Sequence, residues 1–137
     1  MYRKEIHVTT TKEGDIIDIT PEVREIVHES TVFEGMVHVF VKGSTAAVTT
    51  IEYEQGVLAD LSRALSSMAP DTIPYAHDSR WGDGNGRSHV KASIVGPSLS
   101  VPVIGNTPAL GTWQQVLLLE LDVRAGRSRT IIVTVTD

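Results

Sequence analysis

The sequence predicts an α+β domain dominated by antiparallel sheet. Three observations carry that expectation. Apolar residues alternate at period two in several short segments. Two other segments carry them at helical spacing. The strand-like segments follow one another across Gly- and Pro-containing turns rather than in regular βαβ alternation, which favours antiparallel pairing. The expected order is two strands, a helix, two strands, a helix, then five strands. At 137 residues the chain suits one core, so residues 1–137 are read as a single domain.

The elements follow in order. In Tyr2 to Val8, Tyr2, Lys4, Ile6 and Val8 alternate with Arg3, Glu5 and His7, the pattern of a half-buried strand. A turn at Lys12-Glu13-Gly14 leads to a short strand, Asp15 to Ile19. Thr20-Pro21 reads as a helix start, with Thr20 as the cap and Pro21 at the first helical position. Val23, Ile26 and Val27 form one stripe, so Pro21 to Glu29 is predicted helical.

Glu34 to Lys42 returns to period two, with Val37, Val39 and Val41 on one face and Met36, His38 and Phe40 on the other. His38 is read as a core histidine with a backbone partner. Ala46 to Tyr53 is the next strand. From Gln55 the apolar residues Val57, Leu58, Leu61, Ala64, Leu65 and Met68 fall at helical spacing, and Pro70 closes that helix. The remaining predicted strands are Val90 to Val95, Leu99 to Val103, Pro108 to Leu110, Val116 to Leu121 and Thr130 to Thr136.

Composition narrows the function. An apolar fraction of 41% places the chain far from disordered sequences. A net charge of −5 argues against nucleic acid as the main partner, since phosphate backbones select basic proteins. The arginines at 124, 127 and 129 read as a solvated turn. There is no cysteine, which excludes disulfides, thiolate zinc sites and a cysteine nucleophile. MYRKEIHVTT has no apolar signal region, and the longest apolar run, Val116 to Leu119, is four residues, far short of a membrane span. A soluble cytoplasmic protein with no membrane partner is expected.

The segment HDSRWGDGNGRSH, His77 to His89, concentrates polar chemistry. It reads either as a long solvated loop or as a metal or anion site. Without cysteine, a metal site must be built from His, Asp and Glu. The glycines of Asp83-Gly84-Asn85-Gly86 permit positive φ, so the chain can double back and bring His77 and His89 together. Successive glycine amides can also form an anion-binding concavity. The lysine and hydroxyl of a P-loop are absent.

Other positions raise narrower questions. Glu120 interrupts an apolar strand, so its carboxylate either meets a cation or strong hydrogen bonds, or the strand reaches solvent there. Glu52 raises the same question at the end of Ala46 to Tyr53. Ser44-Thr45, after Gly43, can bind phosphate or simply make a turn. Trp113, Gln114 and Gln115 can line a pocket for a planar ligand, or Trp113 can be a packing residue with exposed amides beside it.

Three stretches, GSTAAVTTIEYE, YAHDSRWGDGNGRSHVKASIVGPSLSVPV and LGTWQQVLLLELD, together resemble the YjbQ family across nearly the whole chain. The resemblance implies an α+β fold with this element order and a homotrimer. It also implies an activity like that of secondary thiamine-phosphate synthases, which join a pyrimidine diphosphate to a thiazole phosphate and release pyrophosphate, and a metal bound by histidines. It assigns the histidine positions to His77 and His89, the strand carboxylate to Glu120, and the STAA and following glutamate positions to Ser44, Thr45 and Glu52. Relatives usually continue DGNG with HSH, where this chain has Arg87-Ser88-His89. If the missing histidine is a metal ligand, the departure weakens metal binding; if it lines the anion site, Arg87, a fixed cation with a forked donor set, suits the anion better.

The resulting expectation is an enzyme acting on a small phosphorylated molecule. His77 and His89 bind a divalent cation, zinc foremost, and serve catalysis with Glu120. Ser44, Thr45, Glu52, Asn85, Gly86, Arg87, Trp113 and Gln114 bind substrate or its phosphates, with Trp113 stacked on a heterocycle. The alternative is a non-catalytic trimer that binds a metal or a metabolite.

Overall fold

A computed structural model describes the whole chain, Met1–Asp137. Its elements are β1 (Tyr2–Thr9), β2 (Ile16–Asp18), α1 (Thr20–Ser30), β3 (Glu34–Lys42), β4 (Ala46–Ile51), α2 (Gln55–Met68), α3 (Ala76–Trp81), α4 (Gly86–Val95), β5 (Ser98–Ile104), β6 (Gln115–Glu120) and β7 (Ser128–Thr136). The fold class is the predicted one, α+β with antiparallel sheets. One sheet has the order β1-β7-β3-β5 and the other β2-β6-β4. No helix is long and apolar enough to cross a membrane.

Alternation explains the first sheet. Val37, Val39 and Val41 of β3 and Ile131, Val133 and Val135 of β7 point inward into one core with Val48, Val116 and Leu118 of the second sheet and Val23, Ile26 and Val27 of α1. The second sheet is covered on both sides, and this accounts for the unbroken apolar run of β6. Val116 and Leu118 face the first sheet, whereas Leu117, Leu119 and Leu121 join Leu65 of α2 and Ala92 of α4 in a second cluster.

Several expectations need correction. Helix α1 begins at Thr20, but Thr20 does not cap it: the Asp18 carboxylate accepts the Thr20 N–H at 2.9 Å, and the Thr20 hydroxyl accepts the β6 amide of Val116 at 2.8 Å. His38 is not in the core; it faces outward, with Nδ1 2.9 Å from Ser100 Oγ. Pro108 to Leu110 makes only an isolated bridge from Pro108 to Val103.

The largest correction concerns the polar segment. It is neither loop nor strand but two short helices, α3 and α4, and the predicted strand Val90 to Val95 is the body of α4. Four helices therefore stand where two were expected. Gly82 (φ +67°) ends α3 and Gly84 (φ +72°) reverses the chain into α4, a conformation that glycine adopts without Cβ strain.

Candidate functional site

The corner between α3 and α4 gathers a cluster of nitrogen and oxygen donors. His77 Nδ1 lies 3.3 Å from Asp78 Oδ1 and 3.3 Å from Asp83 Oδ1. One donor atom from each of these three residues lies within 4.8 Å of the others. The His89 ring is beside them, its centroid 4.5 Å from that of His77 and its plane tilted by 47°. The glycine reversal thus brings the two imidazoles together across the corner.

The spacing suits an ion. Donors placed about 2.1 Å from a tetrahedral metal sit about 3.4 Å apart. The donor set, imidazole and carboxylate without thiolate, fits zinc and other first-row divalent ions. His77, Asp78, Asp83 and His89 are the residues that would hold one.

Backbone amides fix the carboxylates. The Gly86 N–H donates to Asp78 Oδ1 at 2.8 Å, and the Asn85 N–H donates to Asp83 Oδ1 at 3.0 Å. Gly86 is also where the corner closes tightly. A Cβ there would stand 2.5 Å from Tyr75 Cβ, so only glycine fits.

Asn85 joins the corner to the sheet. Its side-chain NH2 donates to Asp122 Oδ1 at 3.2 Å, and its oxygen accepts from Ser88 Oγ and the Val123 amide, both at 2.9 Å. The Asp122 carboxylate is buried and also accepts from Thr45 Oγ1 at 3.0 Å and from the Arg124 guanidinium at 3.1 Å. Burial alone would raise its pKa, but bonds from Arg124, Asn85 and Thr45 outweigh it and hold the carboxyl well below the usual range. The Arg124 guanidinium is raised in turn, first by its hydrogen bond to Asp122, with a smaller contribution from the charge of Asp83. Arg124 is therefore an exposed cation held on Asp122, the carboxylate that Asn85 ties to the corner.

His77 and His89 thus converge as expected, and Asp78 and Asp83 join them. Ser44 borders His89: the two line a shallow hollow of about 190 Å³ with Ser93 and Pro97. The other expected residues are placed differently. Glu120 is buried and committed to Arg129, whose Nε and Nη2 donate to it at 2.8 and 2.5 Å, while Thr10 and the Asp122 amide also donate. Its charge is matched by that cation, so it is not free to act as an acid or base. Thr45 is buried between Asp122 and Arg129 and does not face the hollow.

Arg87 points away from the two histidines. Its fork pairs with Glu13 through bonds of 3.0 and 2.9 Å, the strongest reason its pKa is raised, so it offers no free cation to a phosphate. The amides of Asn85 and Gly86 are spent on the two aspartates and do not form a free anion cradle. Glu52, Trp113 and Gln114 belong to the far end of the second sheet. Ala46 pairs with Glu120 at one end and Ile51 with Gln115 at the other, a separation of roughly 17 Å. There Trp113 is 73% exposed, and Gln114 bonds to Thr50 and to the Gly111 amide. No planar-ligand pocket joins them to the histidines within one chain.

Sequence reasoning passed over Asp78 and Asp83 as ligands and Arg124 as a neighbouring cation. The signal for the aspartates was present, since both flank the glycine reversal. Nothing local indicated that Arg124, 41 positions after Asp83, returns to the same corner.

The family model for "UPF0047 protein YjbQ-like" matches residues 4–137. A UPF0047 protein of Methanothermobacter thermautotrophicus is 35% identical over 135 residues, covering 98% of this chain and 92% of that protein. Another from Archaeoglobus fulgidus is 37% identical, over 94% of this chain and 97% of the relative. Among solved structures, a protein of unknown function from Sulfolobus solfataricus superposes with a TM-score of 0.87 at 30% identity, covering 99% of this chain and 97% of the other. A YjbQ/UPF0047 protein from Clostridium acetobutylicum gives 0.86 at 31%, with 97% and 99% covered.

Proposed function

This chain belongs to the YjbQ-like UPF0047 family, and from that premise we propose that it is a metal-dependent enzyme acting on a phosphorylated small molecule. The observation that carries the reading is the convergence of His77, Asp78 and Asp83, with His89 packed on His77. Those four side chains hold a divalent cation, zinc foremost. When bound, the ion supplies positive charge to offset the negative charge that gathers on a leaving phosphate or pyrophosphate.

The chain's own residues orient the substrate. Arg124, anchored by Asp122, presents an exposed cation, and Ser44 offers a hydroxyl in the hollow next to His89. The reaction this reading takes up is the one the family resemblance implies. A pyrimidine diphosphate joins a thiazole phosphate and pyrophosphate departs.

One observation favours a second reading. Arg87 and the amides of Asn85 and Gly86 are engaged inside the protein, so the anion half of the site rests on Arg124 and the Ser44 hydroxyl. A site rich in metal donors and poor in phosphate donors suits a non-catalytic metal-binding protein. Two measurements separate the readings. Chelated protein is titrated with zinc by calorimetry, and pyrophosphate release is followed with the pyrimidine diphosphate and thiazole phosphate pair. The enzyme reading expects stoichiometric zinc and turnover that His77→Ala and His89→Ala each abolish. Zinc binding with no turnover in the unmodified protein selects the binding role; no zinc binding removes both. We further infer that the chain works as a homotrimer, associating through a sheet face that no helix covers.

A further inference from the structure

Helix α4 presents a second polar face. Arg87 and Lys91, four residues apart, lie on one side of it, while His89 lies on the other toward Ser44. The Arg87 and Lys91 side borders a cavity of about 300 Å³ between α4, α2 and the β6 end of the second sheet. Leu65 is the one fully buried residue of α2, so this helix stands off the sheet and leaves room beneath it. The volume is at the small end of the range that ligand sites occupy.

Lys91 is only 8% exposed. Its ammonium has one hydrogen-bond partner, the neutral Ser66 Oγ at 3.4 Å, and takes part in none of the chain's ion pairs. Burying a cation without a counter-charge is costly, because water no longer solvates it. The other charged groups of the cavity are paired, hydrogen-bonded or open to water. Glu13 pairs with Arg87, Glu120 with Arg129, and Asp15 accepts the Thr11 and Lys12 amides; Asp71 is exposed at the rim. Leu61, Leu65 and Leu121 supply apolar wall.

We propose that this cavity binds a small organic monocarboxylate, its carboxylate on Lys91 and Ser66 and its apolar body along Leu61, Leu65 and Leu121. A single negative charge answers the single unpaired cation. A phosphate dianion would bring a second charge against four wall carboxylates. An organic cation would meet Lys91. The site lies across α4 from the metal-donor cluster and does not rest on that assignment.

The test is an NMR titration of the full chain, with backbone amides as probes and hexanoate, inorganic phosphate and hexylamine as separate ligands. Hexanoate is expected to give saturable shifts at residues 61–66 and at Lys91, and phosphate and hexylamine are not. Lys91→Met keeps most of the stem, removes the charge and should weaken hexanoate by about tenfold or more. Ser66→Asp, an exposed position on α2, supplies an internal counter-ion and should abolish hexanoate binding even if Lys91→Met fails to fold. The proposal falls if the unmodified protein shows no saturable hexanoate shift. It also falls if phosphate binds there more tightly, or if either folded variant binds hexanoate unchanged.

Discussion

Glu120 and Arg129 show how a single residue was half legible. The run VLLLEL announced a carboxylate inside an apolar strand, with either a cation or solvent to meet it. The structure selects the cation, yet Arg129 had read as part of a solvated basic turn. The pairing depends on β6 and β7 lying in different sheets, which no local pattern encodes. Both partners are buried, so removing one strands the other: Arg129→Met should lower unfolding free energy by about 3–5 kcal/mol in urea melts. Acid should act on the same network. Burial would raise the pKa values of Glu120 and Asp122, but hydrogen bonds from Arg129 to the first and from Arg124 to the second leave both lowered. A lowered folded pKa stabilises the fold at any pH above the unfolded value of about 4, and that contribution fades as pH falls through the carboxylate range toward the folded value. Urea midpoints should therefore drop steadily below about pH 5. Asp122→Asn, which has no such proton to gain, should show a shallower decline; an equal slope would mean that Asp122 does not carry the effect.

At the level of elements, legibility followed apolar periodicity. The strands β1, β3 and β7 and the helix α1 each bury one apolar face, and each was readable; α2 was readable from its apolar spacing, although Leu65 is its one buried residue. Helix α4 was not, because its buried positions are Gly86, Ser88, Lys91 and Ala92, while its branched residues Val90 and Ile94 are exposed. Its helical face is small and polar, so the eye follows the valines and isoleucine and finds a strand. That inversion is also why the site could be only partly foreseen. The histidines were visible, but the helices that aim them, and the aspartates that those helices fix, were not. The corner makes a sharp demand at one position. Gly86→Ala places a methyl against Tyr75 and pushes α4 away from α3. Thermal or urea melts should register about 1–3 kcal/mol of destabilisation. Zinc titration should show weakened affinity as well, since the Gly86 amide that orients Asp78 moves with the helix. Destabilisation with unchanged zinc affinity would detach the corner's packing from the proposed metal site.

Across the whole molecule, coverage of the two sheets is unequal. The second sheet is sandwiched between the first sheet on one side and α2 and α4 on the other, whereas the outer face of the first is open. Met36 and Phe40 of β3 point outward there at 43% and 36% exposure, and Ile104 of β5 at 58%. The antiparallel register sets Pro102 and Thr136 on either side of Met36 and Ser98 and Ile132 on either side of Phe40, with the polar row Ser100, His38 and Thr134 between them, so the open face is mixed, with large apolar side chains set among polar ones. Large apolar side chains exposed on a sheet face that no other element covers suit an association surface. The edge strand β5 is covered within the chain only by the bridge from Val103 to Pro108 and the Ala109 amide that donates to Pro102, and no further strand pairs along that edge. A second copy of the chain would answer both features, and the proposed homotrimer would supply two. Sedimentation should then report about three times the 14.9 kDa chain mass. Because Met36 and Phe40 contribute nothing to the inner core, Met36→Lys with Phe40→Glu should dissociate the assembly and leave the circular dichroism of the monomer intact. The metal-donor cluster lies wholly within one chain, so that monomer should still bind zinc with unchanged stoichiometry. A monomeric mass for the unmodified protein would remove the trimer, and loss of zinc from the folded double variant would move part of the site to the subunit interface.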